Sequence, residues 1–90
     1  MFVAVACDFA NPDHKDVVID LLLQYGFKKS MNNLYESTAI DDKRLTRLKK
    51  DIDRNTDSYD RLRIFQYPME NTLVITSLDN KKWVKFKIVV

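Results

Sequence analysis

Ninety residues leave room for one domain, and the single cysteine, Cys7, excludes an internal disulfide framework. A hydrophobic share of 46% argues against disorder, and one glycine excludes a phosphate cradle of the G-x-G-x-x-G kind, which needs three. Fifteen basic residues against thirteen acidic ones give a formal charge of +2, too mild to announce nucleic-acid binding by itself.

A domain of this size buries only about 60–65% of its unfolded surface and often leans on a metal or a partner subunit. Its charge is unevenly spread. Asp8, Asp13, Asp16 and Asp20 face Lys15 alone near the start, whereas Lys81, Lys82, Lys85 and Lys87 close the chain without an acid. No apolar run approaches the ~18 residues of a membrane span, so no membrane association is expected. The first charge is Asp8 rather than the basic cluster that opens a signal peptide, which points to a cytoplasmic protein.

In chain order, Phe2 to Cys7 form an apolar run without alternation, the pattern of a strand buried on both faces. Asn11 then Pro12 mark a helix start: an N-cap acceptor followed by a residue whose φ suits the first turn. Val17, Val18, Leu21, Leu22 and Tyr25 follow at helical spacing, and Gly26 falls where a left-handed C-terminal cap is wanted. Residues 27–37 read as an irregular extended segment with a bulge or turn at Asn32-Asn33. A second helix begins near Asp41, with Ile40 and Leu45 placed as a hydrophobic staple and Leu45, Leu48 and Ile52 as a narrow apolar stripe. Lys43, Arg44, Arg47, Lys49, Lys50 and Arg54 cover its remaining surface, and Asn55 to Tyr59 form a polar loop. Leu62, Ile64, Phe65 and Tyr67 predict a strand ended by Pro68. Thr72 to Leu78 predict another, Asp79-Asn80 a turn, and residues 82–90 alternate with period two as a last strand.

The order is close to βαββαβ with an extra C-terminal strand, an α+β ferredoxin-like arrangement in one domain spanning residues 1–90. The long alternating last strand would leave an unpaired edge on a monomer. Docking residues 82–90 on a partner's sheet would cover that edge and enlarge a small core, so a homodimer is expected.

Few residues could carry chemistry. His14, the only histidine, reads as a solvated side chain in a first helical turn, and Cys7 as inert core packing. Asp8 directly follows the apolar run, at the carboxyl end of a buried strand, a common position for ligand-binding groups. One Asp holds magnesium poorly, but two brought together by a dimer axis could share an ion that activates water near a scissile phosphate. The plainer reading of Asp8 is a loop carboxylate that caps backbone amides. The basic helix residues, with Lys28, Lys29 and the last strand, either form a solvated face or build a phosphate-binding stripe doubled by the dimer. Phe65 and Tyr67 read as core or interface aromatics, the alternative being that they stack on bases.

In sequence order, Val5-Ala6-Cys7-Asp8, Tyr25-Gly26, Asn33-Leu34-Tyr35-Glu36, Asp60 and Leu62-Arg63-Ile64-Phe65 line up with a known pattern. The set resembles the CRISPR-associated protein two family, the small ferredoxin-like component of the spacer-acquisition machinery. This chain has Lys29, Met31 and Asn33 where that family has Arg, Gln and Ser, and Phe65-Gln66 where it has Tyr-Pro. The resemblance implies a homodimer with Asp8 paired across the axis, binding Mg2+ as the metal-dependent catalytic carboxylate of an endonuclease on RNA or double-stranded DNA. It equally implies a non-catalytic DNA-bridging scaffold for a CRISPR integrase subunit. Lys28, Lys29, Arg44, Arg47 and Arg63 are then the candidate nucleic-acid contacts. Gly26-Phe27-Lys28 and the aspartate of the first strand are also similar to toxin-type ribonucleases of the virulence-associated protein D family.

Overall fold

The computed structural model describes residues 1–89 and contains eight elements. They are β1 (Phe2–Asp8), α1 (Pro12–Gln24), β2 (Lys28–Met31), β3 (Leu34–Ser37), α2 (Asp42–Arg54), β4 (Arg61–Tyr67), β5 (Thr72–Asp79) and β6 (Lys82–Val89). Val90, the last residue of the predicted terminal strand, lies outside the described residues.

Helix ends follow local chemistry. Asn11 caps α1 by accepting from the Asp13 amide at 2.9 Å, with Pro12 in the first helical position. At the other end Gly26, at φ 88°, reverses the chain. The Gly26 amide donates to the Leu23 carbonyl and the Phe27 amide to the Leu22 carbonyl, the paired bonds of a Schellman cap. Asp41 caps α2 by accepting from the Arg44 amide at 2.8 Å. Ile40 and Leu45, flanking that cap, are both buried, as the staple requires.

All six strands form one antiparallel sheet in the order β2-β3-β1-β4-β5-β6. β3 lies between β1 and β2, and β1 lies between β3 and β4, so each helix links two strands with a third inserted between them. That is the ferredoxin-like arrangement, extended by β5 and β6. Both helices pack on one side. Val3, Val5 and Cys7 of β1 and Leu62 and Ile64 of β4 meet Val18 and Leu22 of α1 and Leu45, Leu48 and Ile52 of α2 in the core.

Three expectations need correction. β1 is not covered on both faces. Its other side, carrying Phe2, Ala4, Ala6 and Asp8, belongs to an uncovered sheet face, where only neighbouring strands shield Ala4. The 27–37 segment is two paired strands: Asn32 and Asn33 turn the chain, with Asn33 at φ 63°, and a register shift between Lys29 and Met31 adds the bulge. The last hairpin turns at Asn80-Lys81, one residue later than predicted, both residues taking positive φ.

β6 pairs with β5 of its own chain from Asp79↔Lys82 to Thr72↔Val89, and its other edge is the border of the sheet.

Candidate functional site

Asp8 ends β1 on the uncovered face. Its partner in the register is Arg61, the first residue of β4, and the Arg61 guanidinium donates to the Asp8 carboxylate at 3.2 Å. Both side chains are exposed, so the pair is screened and worth at most about 1 kcal/mol. Arg63, two residues along β4 and therefore on the same face, stands opposite Ala6 and Ser77. With Asp79 these residues border a shallow depression of about 300 Å³.

The remaining predicted contacts do not join this cluster. Lys28 and Lys29 are exposed on β2, the strand at the far border of the sheet from β6. Arg44 and Arg47 lie on α2, on the helical side of the sheet, and the Arg44 guanidinium sits 5.5 Å from the centre of the Tyr25 ring. Of the predicted set, the fold brings together Asp8 and Arg63 alone. Arg44 and Arg47 lie on the opposite side of the sheet from Asp8 and Arg63, whereas Lys28, in register with Glu36 and through it with Ala4, shares their face but stands two strands away on β2.

Magnesium takes oxygen ligands in a near-octahedral shell. Within one chain Asp8 offers one carboxylate, already held by Arg61, and Asp79 is the other carboxylate bordering the depression.

Histidine chemistry sits next to this cluster, where the sequence suggested only a solvated ring. The half-buried His14 ring lies against Asp60, its Nδ1 2.6 Å from Asp60 Oδ2. Asp60 is fully buried. The Asp57 amide donates to the same Asp60 oxygen at 3.0 Å and the Ala10 amide to the other at 3.3 Å. Burial pushes the Asp60 carboxyl upward, but the Asp57 amide and the His14 ring outweigh it and hold the acid below its ordinary range. Asn11 Nδ2 lies 3.4 Å from His14 Nε2. The knot ties the loop after β1 to the loop before β4, and so fixes the strand ends that carry Asp8 and Arg61. His14, Asp57 and Asp60 each bring a ligand atom within 4.8 Å of the others, a group that could hold a metal ion. Its mixed nitrogen and oxygen donors suit a transition metal better than magnesium.

Cys7 is buried in the core, where burial pushes its thiol up to about 12, so it is an inert packing group. No helix among the described residues is long and apolar enough to cross a membrane.

No family model, curated protein or solved structure matches this chain.

Proposed function

We propose that the chain works as a homodimer that binds phosphodiesters, with the two Asp8 carboxylates of the pair sharing a Mg2+ ion as in the CRISPR-associated protein two family it resembles. The observation that carries this reading is the placement of Asp8. It stands with Arg61 and Arg63 at one end of an uncovered, largely apolar sheet face, where a second copy packed on that face would supply a second carboxylate. Arg61 and Arg63 offer planar forks suited to phosphate oxygens. A bound divalent cation would supply Lewis acidity toward a phosphate and a more acidic water. The chain's own residues position that chemistry: the Asp60 knot fixes the ends of β1 and β4, and Arg63 holds the backbone to be cut.

One observation favours a second reading. Asp8 already has a cationic partner in Arg61, which suits a DNA-bridging scaffold without cleavage, the role of a protein seated between integrase subunits. A cleavage and gel-shift series separates the two. RNA and duplex DNA are incubated with wild type and Asp8→Ala, with magnesium and with a chelator. Magnesium-dependent cleavage lost in Asp8→Ala supports the endonuclease. Salt-sensitive duplex binding without cleavage, and indifferent to Asp8→Ala, supports the scaffold. Binding to neither nucleic acid overturns both.

A further inference from the structure

Six strands at ~4.8 Å spacing make a floor about 29 Å wide, more than two helices of ~10 Å diameter roof over. The shortfall lies beyond α2, over β5 and β6. There a groove of about 480 Å³ runs between Thr46, Lys49, Lys50, Asp53 and Arg54 of the helix and Thr76, Trp83 and Lys85 of the sheet. The helical wall repeats at i, i+3, i+4, i+7 and i+8, one continuous face of α2.

Its polar groups are unevenly satisfied. Asp53 is engaged: the Trp83 indole N–H donates to its carboxylate at 3.1 Å, and the Lys81 ammonium reaches both its carboxylate and its backbone carbonyl. Arg54 is engaged by Asp51 at 3.1 Å. Lys49, Lys50 and Lys85 have no carboxylate within 4 Å among the described residues. Beneath them the Thr76 hydroxyl, in a residue only 3% exposed, has no hydrogen-bond partner among the described residues. Unpartnered buried polar atoms are scarce in folded chains and call for a reason. Burial lowers the Lys49 ammonium from its ordinary range and the neighbouring Lys85 lowers it further, which the more weakly acting Asp42 only partly offsets, so two like charges face one half-enclosed space.

We propose that this groove is a phosphate-binding site, in which Lys49, Lys85 and the Thr76 hydroxyl take the phosphoryl group of a nucleotide, free or within a strand. An anion there relieves the Lys49–Lys85 repulsion and gives the Thr76 hydroxyl its missing partner. A groove of this size exceeds a bare inorganic ion and falls within the range of small-molecule sites, with Trp83 as an aromatic wall for the base. The site lies on the helical side of the sheet, opposite the Asp8 depression, and does not rest on the Asp8 reading.

Trp83 is the only tryptophan and lines the groove, so its fluorescence reports occupancy. The full chain is titrated with inorganic phosphate, uridine 5′-monophosphate, uridine and an oligouridylate, each against sodium chloride of matched ionic strength. Saturable binding of the phosphorylated probes and none of uridine is expected. Lys49→Ala and Lys85→Ala each weaken it about tenfold, and Thr76→Val about threefold, the values of a charged and a neutral hydrogen bond. Thr76→Val also raises Tm, because it removes an unsatisfied buried oxygen, so its weaker binding is not a folding defect. Tighter binding of the monophosphate assigns a free nucleotide; tighter, more salt-sensitive binding of the oligonucleotide assigns a strand. No saturable response beyond chloride, or unchanged affinity in both lysine variants, overturns the site. Neither result touches Asp8-dependent cleavage.

Discussion

Deleting the Asp60 carboxylate strips an acceptor from three donors at once: the amides of Ala10 and Asp57 and the His14 ring. Asp60→Ala is expected to cost about 3 kcal/mol, as for breaking a buried charged network. At 4–8 °C per kcal/mol for a small domain, Tm falls by roughly 12–24 °C. The acid limb carries a second signature. Because folding holds this carboxyl below its ordinary range, its contribution is complete above the unfolded carboxylate value of about 3.9 and drains away as pH falls through the lower folded value. A plot of Tm against pH should therefore steepen below that point in wild type and flatten in Asp60→Asn. An Asp60→Asn curve that parallels wild type would remove Asp60 from the acid transition. None of this was legible along the chain, where His14 and Asp60 stand 46 residues apart. The histidine reads as solvated because its partner arrives only when β1 and β4 pair. Asp8 was legible as the residue that ends an apolar strand. Its salt bridge to Arg61, 53 residues away, was not.

Helices were the most readable elements because their ends are set by neighbours in sequence. Asn11-Pro12, Asp41 between Ile40 and Leu45, and Gly26 each carry their own cap chemistry. Gly26 offers a clean test. A Cβ placed on it would meet nothing within 4 Å, so the cost of Gly26→Ala is the left-handed backbone alone, about 1 kcal/mol. In urea the midpoint should fall with the slope unchanged, since the surface exposed on unfolding is the same. A midpoint equal to wild type would mean that the cap relaxes to another conformation. Hairpins were less readable. β2 and β3 have four residues each and a bulge between their paired positions, which breaks the alternation that reveals a strand. The Asn80-Lys81 turn puts a lysine at a positive φ that glycine usually takes, and Lys81 instead anchors to Asp53 of α2. That anchor engages Asp53, one of the residues that line the groove whose lysines come from helix and strand. The apolar stripe of Leu45, Leu48 and Ile52 is visible at helical spacing, but the groove wall beside it is not, because the residues of β5 and β6 that face it arrive only on folding.

At the scale of the molecule, the alternation in residues 82–90 predicts a terminal strand, which the structure shows from Lys82 to Val89, and it also describes the face that β6 turns away from the helices. Val84, Phe86 and Ile88 lie there, each more than a third exposed, in register with Ser77, Ile75 and Leu73 of β5. Phe65 stands opposite Ile75, and Tyr67 packs against Phe2 with ring centres 5.8 Å apart. These side chains make an apolar field across β1, β4, β5 and β6 that no helix roofs, whereas a monomeric protein rarely exposes a patch beyond a few hundred Å². A homodimer packed on this face would bury the field and leave the charged end, with Asp8, Arg61 and Arg63, at its margin. Phe86→Glu tests it with little risk to folding, because the ring is 45% exposed and lies outside the helix-side core. Two carboxylates forced into a buried apolar contact are costly, so the variant should scatter light as a monomer at micromolar concentration where wild type scatters as a dimer. Far-UV circular dichroism of the two should coincide. A monomeric wild type at that concentration removes the dimer, and with it the second Asp8 that the proposed shared Mg2+ site requires. A Phe86→Glu chain that still dimerises moves the contact to another surface, such as the free edge of β6.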